Sequence, residues 1–170
     1  MQGVKRNYWL ILLSLSISLF IYTFFRTEKT FSNEIIISII SRQKYFWLRK
    51  LVTHHLSLNE HIIYSLPEGL WVFCITLTSK NLFIKIGNRE LNCVIAPLIS
   101  SIDLEIFQLF HLTNGRFDFW DIGSSVFFWA IANSFVRSRS IKQNIFNPIT
   151  FRSVVCFLSY GIVYLAHVWK

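Results

Sequence analysis

Apolar residues along this chain gather into five long runs, at residues 8–25, 62–78, 91–112, 119–136 and 153–169, each bordered by polar or basic positions. Runs of this length approach the roughly 20 residues a membrane-crossing helix needs. The pattern therefore predicts an all-α fold: a polytopic membrane protein with about five transmembrane helices in one bundle, residues 1–170 forming a single membrane domain. The first run lies between Lys5 and Arg6 on one side and Arg26 on the other. It ends without a small-residue cleavage pattern, so it reads as an uncleaved anchor and not as a signal peptide. The second run carries Pro67, Glu68 and Gly69 early, which predicts an interruption, and Trp71 as an anchor. In the third run Pro97 predicts a kink. Residues 113–117 allow only a tight connection, making runs three and four antiparallel neighbours.

Between runs one and two the pattern changes. Ile35 to Ile40 is strongly apolar but too short to cross, and Arg42, Lys44, Arg49 and Lys50 follow at once. Tyr45, Phe46 and Trp47 among those cations suit the membrane interface, so residues 31–52 are expected to lie on the surface. Residues 81–90 read as a short polar link.

Composition supports the membrane reading. The chain is 53% hydrophobic and 17% aromatic, above the apolar share of about 45–50% in soluble domains. Gly and Pro are scarce, which favours long helices over a β-barrel. The net charge of +8 is spread over the flanks of the apolar runs and residues 42–50, as orientation signals and anionic-lipid contacts require. No recognition motif accompanies it, so no nucleic-acid partner is expected. A cytoplasmic N-terminus puts nine of the 17 basic residues inside: Lys5, Arg6, Lys80, Lys85, Arg89, Arg137, Arg139, Lys142 and Arg152. That orientation is favoured once the long first loop is discounted.

Three scattered cysteines, Cys74, Cys93 and Cys156, fit buried packing better than disulfides or a zinc site. His54, His55, Glu60 and His61 are metal-ligand types at a spacing that matches no metal motif. No metal or cofactor is expected.

The chemistry concentrates in residues 105–121. Charge within or beside a bilayer is costly and marks function by default. Ser101, Glu105 and Gln108 share one helical face, whereas Asp103 points the other way. Asp118 opens the next helix as a cap, with Asp121 at its third position and Ser125 on the same face. With the N-terminus inside, Glu68 and Glu105 both lie roughly 9–11 Å below the outer boundary at 1.5 Å per residue. Arg116 on the connecting turn is the natural counter-charge. Glu68, Glu105, Gln108, Arg116, Asp118 and Asp121 form the expected functional cluster, an outward-facing polar pocket. Capping accounts for Asp118 and leaves Glu105 unexplained.

Glu105-x-x-Gln108, then Gly115-Arg116, then Asp118-x-x-Asp121 opening an apolar helix, with His61 and Tyr64 upstream, resembles the VanZ-like family of small bacterial membrane proteins over about residues 60–136. Where that family often has Asn and Gly after the last Asp, this chain has Ser125 and bulky Phe127 and Phe128; Asn59 and Glu60 stand near the place of its Asp-Lys pair. The resemblance implies a divergent member in the bacterial cytoplasmic membrane, part of the cell envelope, with relatives linked to resistance to glycopeptide antibiotics, particularly teicoplanin.

Four roles compete. The leading one is a non-enzymatic pocket for a lipid headgroup or an envelope glycolipid or glycopeptide-like ligand. The second is an accessory transmembrane subunit docking its aromatic helices on a membrane protein partner. An intramembrane enzyme would use paired carboxylates, but the chain has no Gly-x-Ser-x-Gly, no His-Glu-x-x-His and no identifiable nucleophile. A transporter would have to work from five spans without an internal repeat.

Overall fold

A computed structural model describes residues 2–26, 31–113, 115–134 and 142–168. Among them the chain is mostly helical, with seven α-helices and three short strands. Helix α1 is Gln2–Phe25, α2 Phe31–Ile40, α3 Arg42–His55 and α4 Glu60–Ser79; strands β1 Leu82–Ile86 and β2 Arg89–Asn92 follow. A 3-10 turn, Cys93–Ile95, leads into α5, Ala96–Leu109; then come α6 Phe119–Ser134, β3 Gln143–Asn144 and α7 Phe151–Val168. The basic stretch with Arg137 and Arg139 lies outside the described residues.

Helix α4 is the axis of the molecule, packed chiefly against α6 and α1 and then α7 and α5. Its residues 67–77 are buried without a break, which is why this helix is apolar all round. The expected interruption at Pro67 does not occur; the proline is buried inside a continuous helix. Gly69 is what lets α6 come close. A Cβ there would collide with the Phe128 ring, and Phe128 in turn meets Phe73 edge-on with centroids 6.4 Å apart. The bulky residue on α6 is thus matched by a missing side chain on α4.

Among the described residues two helices are long and apolar enough to cross a membrane: α4, and α1 over Tyr8–Phe25. They differ in burial, with 72% of the α4 window inside the chain but only 17% of the α1 window. Leu12, Leu13, Leu15, Leu19 and Phe20 of α1 are all exposed. An apolar helix with so little protein around it has a surface suited to lipid.

The third run departs most from expectation. Instead of one helix over 91–112, its start is β2 and the 3-10 turn, and the helix covers only Ala96–Leu109. Pro97 does not kink that helix but starts it, at a first-turn position where its missing N–H has no helical partner to lose. The polar link before it is a β-hairpin. β1 and β2 pair antiparallel from Phe83↔Asn92 to Ile86↔Arg89, around a two-residue turn whose first residue, Gly87, has φ +60°, as II′ hairpin turns demand. β3 joins β1 in parallel, Leu82 opposite Gln143.

Residues 31–52 form two helices, each too short to cross a bilayer at 1.5 Å per residue, separated at Ser41, whose φ is +79°. Helix α3 is fixed to the end of α1 by specific bonds. Tyr45, 1% exposed, donates its hydroxyl to Thr23 O at 2.8 Å. Arg49 donates from Nε to Phe24 O at 3.1 Å and from Nη2 to Arg26 O at 2.7 Å. The last carbonyls of a helix have no intrahelical donors and carry partial negative charge. Here another helix supplies both the donors and the positive charge.

Candidate functional site

Helix α5 turns one polar stripe toward α6. Ser101 and Glu105, four residues apart, are 0% and 2% exposed, and Gln108 continues the stripe half-buried. Asp103 is exposed, as the helical period requires. On the facing side Ser125 is also fully buried, and Ser101 Oγ donates to Ser125 Oγ at 2.7 Å. The serine at this position therefore ties α5 to α6 directly.

One turn above that bond, Glu105 Oε2 accepts the backbone N–H of Asp118 at 3.1 Å. Asp118 caps α6: its Oδ1 accepts from Trp120 N at 2.9 Å, and its carbonyl accepts from Asp121 N at 3.2 Å. Glu105 thus orients the residue that starts α6, a structural task the spacing alone did not disclose. The connecting loop is held from the other side by Gly115. Its φ is +125°, and a Cβ would come within 2.8 Å of the Gln108 amide, so glycine is required both for conformation and for space.

Glu68 approaches from α4, 7% exposed. Glu105 lies within electrostatic reach of Asp121, Glu68 and Asp118, and Asp121 within reach of Glu68, Asp118 and Arg26. The structure therefore brings together the carboxyl groups of Glu68, Glu105, Asp118 and Asp121, from three helices and one cap.

Arg116, the expected counter-charge, is exposed, and the guanidinium within electrostatic reach of Asp121 is that of Arg26, just past the end of α1. Arg26 Nη2 donates to Tyr64 O at 2.9 Å, and its guanidinium carbon lies 4.6 Å from the Tyr22 ring centre and 5.2 Å from that of Tyr64. Sequence reasoning placed Arg26 only as a flank of the first run. Nothing local distinguishes it, because its position depends on α3 holding the α1 terminus and on α4 rising beside it.

Ser65 was missed for a similar reason. It is 5% exposed and its side chain lies at the Asp121 carboxyl, while Ser124 Oγ donates to its carbonyl at 2.8 Å. Ser65 is placed to hydrogen-bond the Asp121 carboxyl, and Arg26 Nε is buried beside Tyr64 without a bond of its own. Around the cluster stand exposed rings. His61 and Trp120 join α4 to α6 with centroids 4.8 Å apart, and Tyr64, Phe119 and Trp120 are 48%, 77% and 60% exposed.

The opposite end of the bundle is built differently. Lys80 Nζ donates to Ala132 O at 3.0 Å and Asn133 O at 2.7 Å, at the C-terminus of α6, and burial pulls its pKa below the usual lysine value. Arg152 Nη2 donates to Lys80 O at 3.1 Å. Cys93 and Cys156 pack with Leu82 and Ile145; all three cysteines are free and buried. Among the described residues no group of three or more His, Cys, Asp or Glu side chains is arranged to hold a metal ion. His55 Nδ1 instead lies 2.9 Å from Leu51 O.

Compared with protein-family models, with curated proteins and with solved structures, the chain matches none.

Proposed function

We propose that this chain is a divergent VanZ-like protein of the bacterial cytoplasmic membrane, a non-enzymatic component of the cell envelope. In this reading its acidic end is an outward-facing pocket for a lipid headgroup or glycopeptide-like ligand. α1, α4, α5, α6 and α7 cross the membrane with the N-terminus in the cytoplasm, while α2 and α3 lie on the outer surface. α6 is about 24 Å long, and α5 with its 3-10 turn reaches about 27 Å. Both fall slightly short of a hydrocarbon core of about 30 Å, a mismatch that bilayers accommodate at modest cost. The hairpin and the cations of its end then face the cytoplasm, in keeping with the positive-inside rule.

The observation that carries the reading is the gathering of the Glu68, Glu105, Asp118 and Asp121 carboxyls at one end of the bundle, with Arg26 within electrostatic reach of Asp121. Every acidic position of the motif contributes to that one place. Gathering like charges away from water is costly, and such costs concentrate at functional sites.

Two experiments test it. In a glycopeptide-susceptible bacterial host, expression is expected to raise tolerance to teicoplanin, and Glu105→Gln to abolish the rise at unchanged protein abundance. A fully active Glu105→Ala protein at normal abundance would overturn the pocket. On a cysteine-free background, Leu112→Cys should label from outside and Asn88→Cys only after the membrane is opened; the reverse would overturn the orientation.

A further inference from the structure

Helix α3 has two faces with different work. Tyr45 and Arg49, four residues apart, point to the end of α1 and bond the carbonyls of Thr23, Phe24 and Arg26. At about 100° per residue, Trp47, Lys50, Leu51 and His54 fall within about 100° of arc on the opposite side. There an open cleft of about 650 Å³ is lined by Trp47, Lys50, Leu51, Thr53, His54 and His55, a volume in the range of small-ligand sites. Thr53 Oγ1 donates to Arg49 O at 2.9 Å and His55 Nδ1 lies 2.9 Å from Leu51 O, so both engage their own helix. The charge that the cleft turns outward is that of Lys50, with the exposed His54 ring one turn on.

Charge selects an anion. α3 carries Arg42, Lys44, Arg49 and Lys50 and no Asp or Glu, and Arg42, Lys44 and Lys50 are all exposed. The walls select an amphiphile. Trp47 is 64% exposed and Leu51 43%, and both stand in the same cleft as the ammonium group. A small hydrophilic anion gains nothing from an indole and an isobutyl group, whereas a molecule with a phosphate next to glycerol and methylene groups meets all of them.

Position selects the source. The carbonyls that α3 grips close the helix whose exposed apolar face, Leu12 to Phe20, suits lipid, so the cleft stands at the level where α1 leaves the hydrocarbon. Tryptophan is favoured at that level, and lysine there attracts anionic headgroups. We infer that the face of α3 turned away from α1 binds an anionic phospholipid, Lys50 meeting the headgroup phosphate, His54 beside it, and Trp47 and Leu51 covering the glycerol and the first methylenes. This rests on the reading that places α3 at the outer membrane surface, and it is separate from the acidic pocket.

The test is native mass spectrometry of the full-length protein in detergent micelles with equimolar phosphatidylglycerol and phosphatidylcholine of identical acyl chains. Phosphatidylglycerol is expected to be retained in preference, and Lys50→Gln to cut that preference about fivefold, the worth of one lysine at an anionic surface. Lys85→Gln makes the same charge change on the exposed hairpin and should leave the preference as it was. Trp47→Ala should lower phosphatidylglycerol retention with Lys50 intact. Lys50 and Trp47 both stand exposed, so neither substitution opens the core. Equal losses in Lys50→Gln and Lys85→Gln would overturn the site, because uniform attraction to net charge produces them. Unchanged retention in Trp47→Ala would overturn the apolar half of the site. Displacement of the lipid by an equal concentration of free glycerol 3-phosphate would overturn the lipid source, and a dimer that is lost in Trp47→Ala without any lipid preference would give the face to a second copy of the chain. The cysteine labelling of Leu112 and Asn88 tests the orientation by itself, so failure here and failure of that reading are told apart.

Discussion

The two ends of the helix bundle treat charge in opposite ways. At the hairpin end, the Lys80 ammonium rests on the last carbonyls of α6 and Arg152 on the carbonyl of Lys80. These cations lie where helix C-termini offer negative partial charge. At the acidic end Arg49 does the same for α1, but there the resemblance stops. Beside it, carboxyl groups from α4, α5 and α6 lie within electrostatic reach of one another, with Arg26 near Asp121. One end sets its cations on helix carbonyls, whereas the other gathers like charges.

That contrast makes predictions about stability, and the buried cysteines supply the readout. All three thiols are inside the fold, so a thiol-reactive fluorescent dye added during a thermal ramp in detergent reports unfolding without added labels. The largest loss is expected for Arg49→Ala. It strips two charge-assisted bonds from the end of α1, each worth about 1.5–3 kcal/mol net, and it frees the segment that presents Arg26. Its melting temperature should fall well below that of the parent. Arg49→Ala with unchanged melting would mean that α3 does not hold α1.

Gly69→Ala comes next. The added methyl meets the Phe128 ring, and overpacking of this kind costs about 1–3 kcal/mol. Phe128→Leu in the same protein should restore much of the loss, since the double variant exchanges volume across one contact. Failure of that rescue would place the strain elsewhere than between α4 and α6.

Beneath the carboxyls, Ser101→Ala and Ser125→Ala each strand the other hydroxyl in a fully buried position, at a cost of about 1–3 kcal/mol. Replacing both should cost less than the two single changes together. Additive losses in this double-mutant cycle would show that the hydroxyls do not act as a pair.

The smallest effect is expected at the hairpin end. Lys80→Ala removes a cation from the α6 terminus, worth about 0.3–1 kcal/mol at a partly exposed helix end. It should leave the Glu105-dependent teicoplanin tolerance unchanged. A drop in tolerance at normal abundance would break the separation between the two ends.

Much of the site was legible from helical periodicity. Ser101, Glu105 and Gln108 share a buried or half-buried stripe and Asp103 faces away because side chains three, four and seven positions apart fall on one face of any α-helix. Asp118 caps α6 because a short acceptor before an apolar run satisfies N–H groups the helix leaves open. These arrangements are local, and a helix imposes them wherever it is placed. Residues 81–90, read as a polar link, hold the Gly87-Asn88 turn of a hairpin, and the apolar run read as helix from residue 91 becomes helical only at Ala96.

Composition and spacing by themselves determined that the chain is mostly helical, which faces of its helices are polar, and where one helix begins. Only the tertiary structure decided which charges meet. Arg116 is close to Asp121 in sequence and stands exposed, while Arg26, more than 90 residues away, lies within electrostatic reach of it. The physical reason is that electrostatic partnership depends on distances of a few ångströms between helices, and those are set by contacts no periodicity encodes: Gly69 admitting Phe128, Ser101 bonded to Ser125, and Tyr45 and Arg49 holding the end of α1.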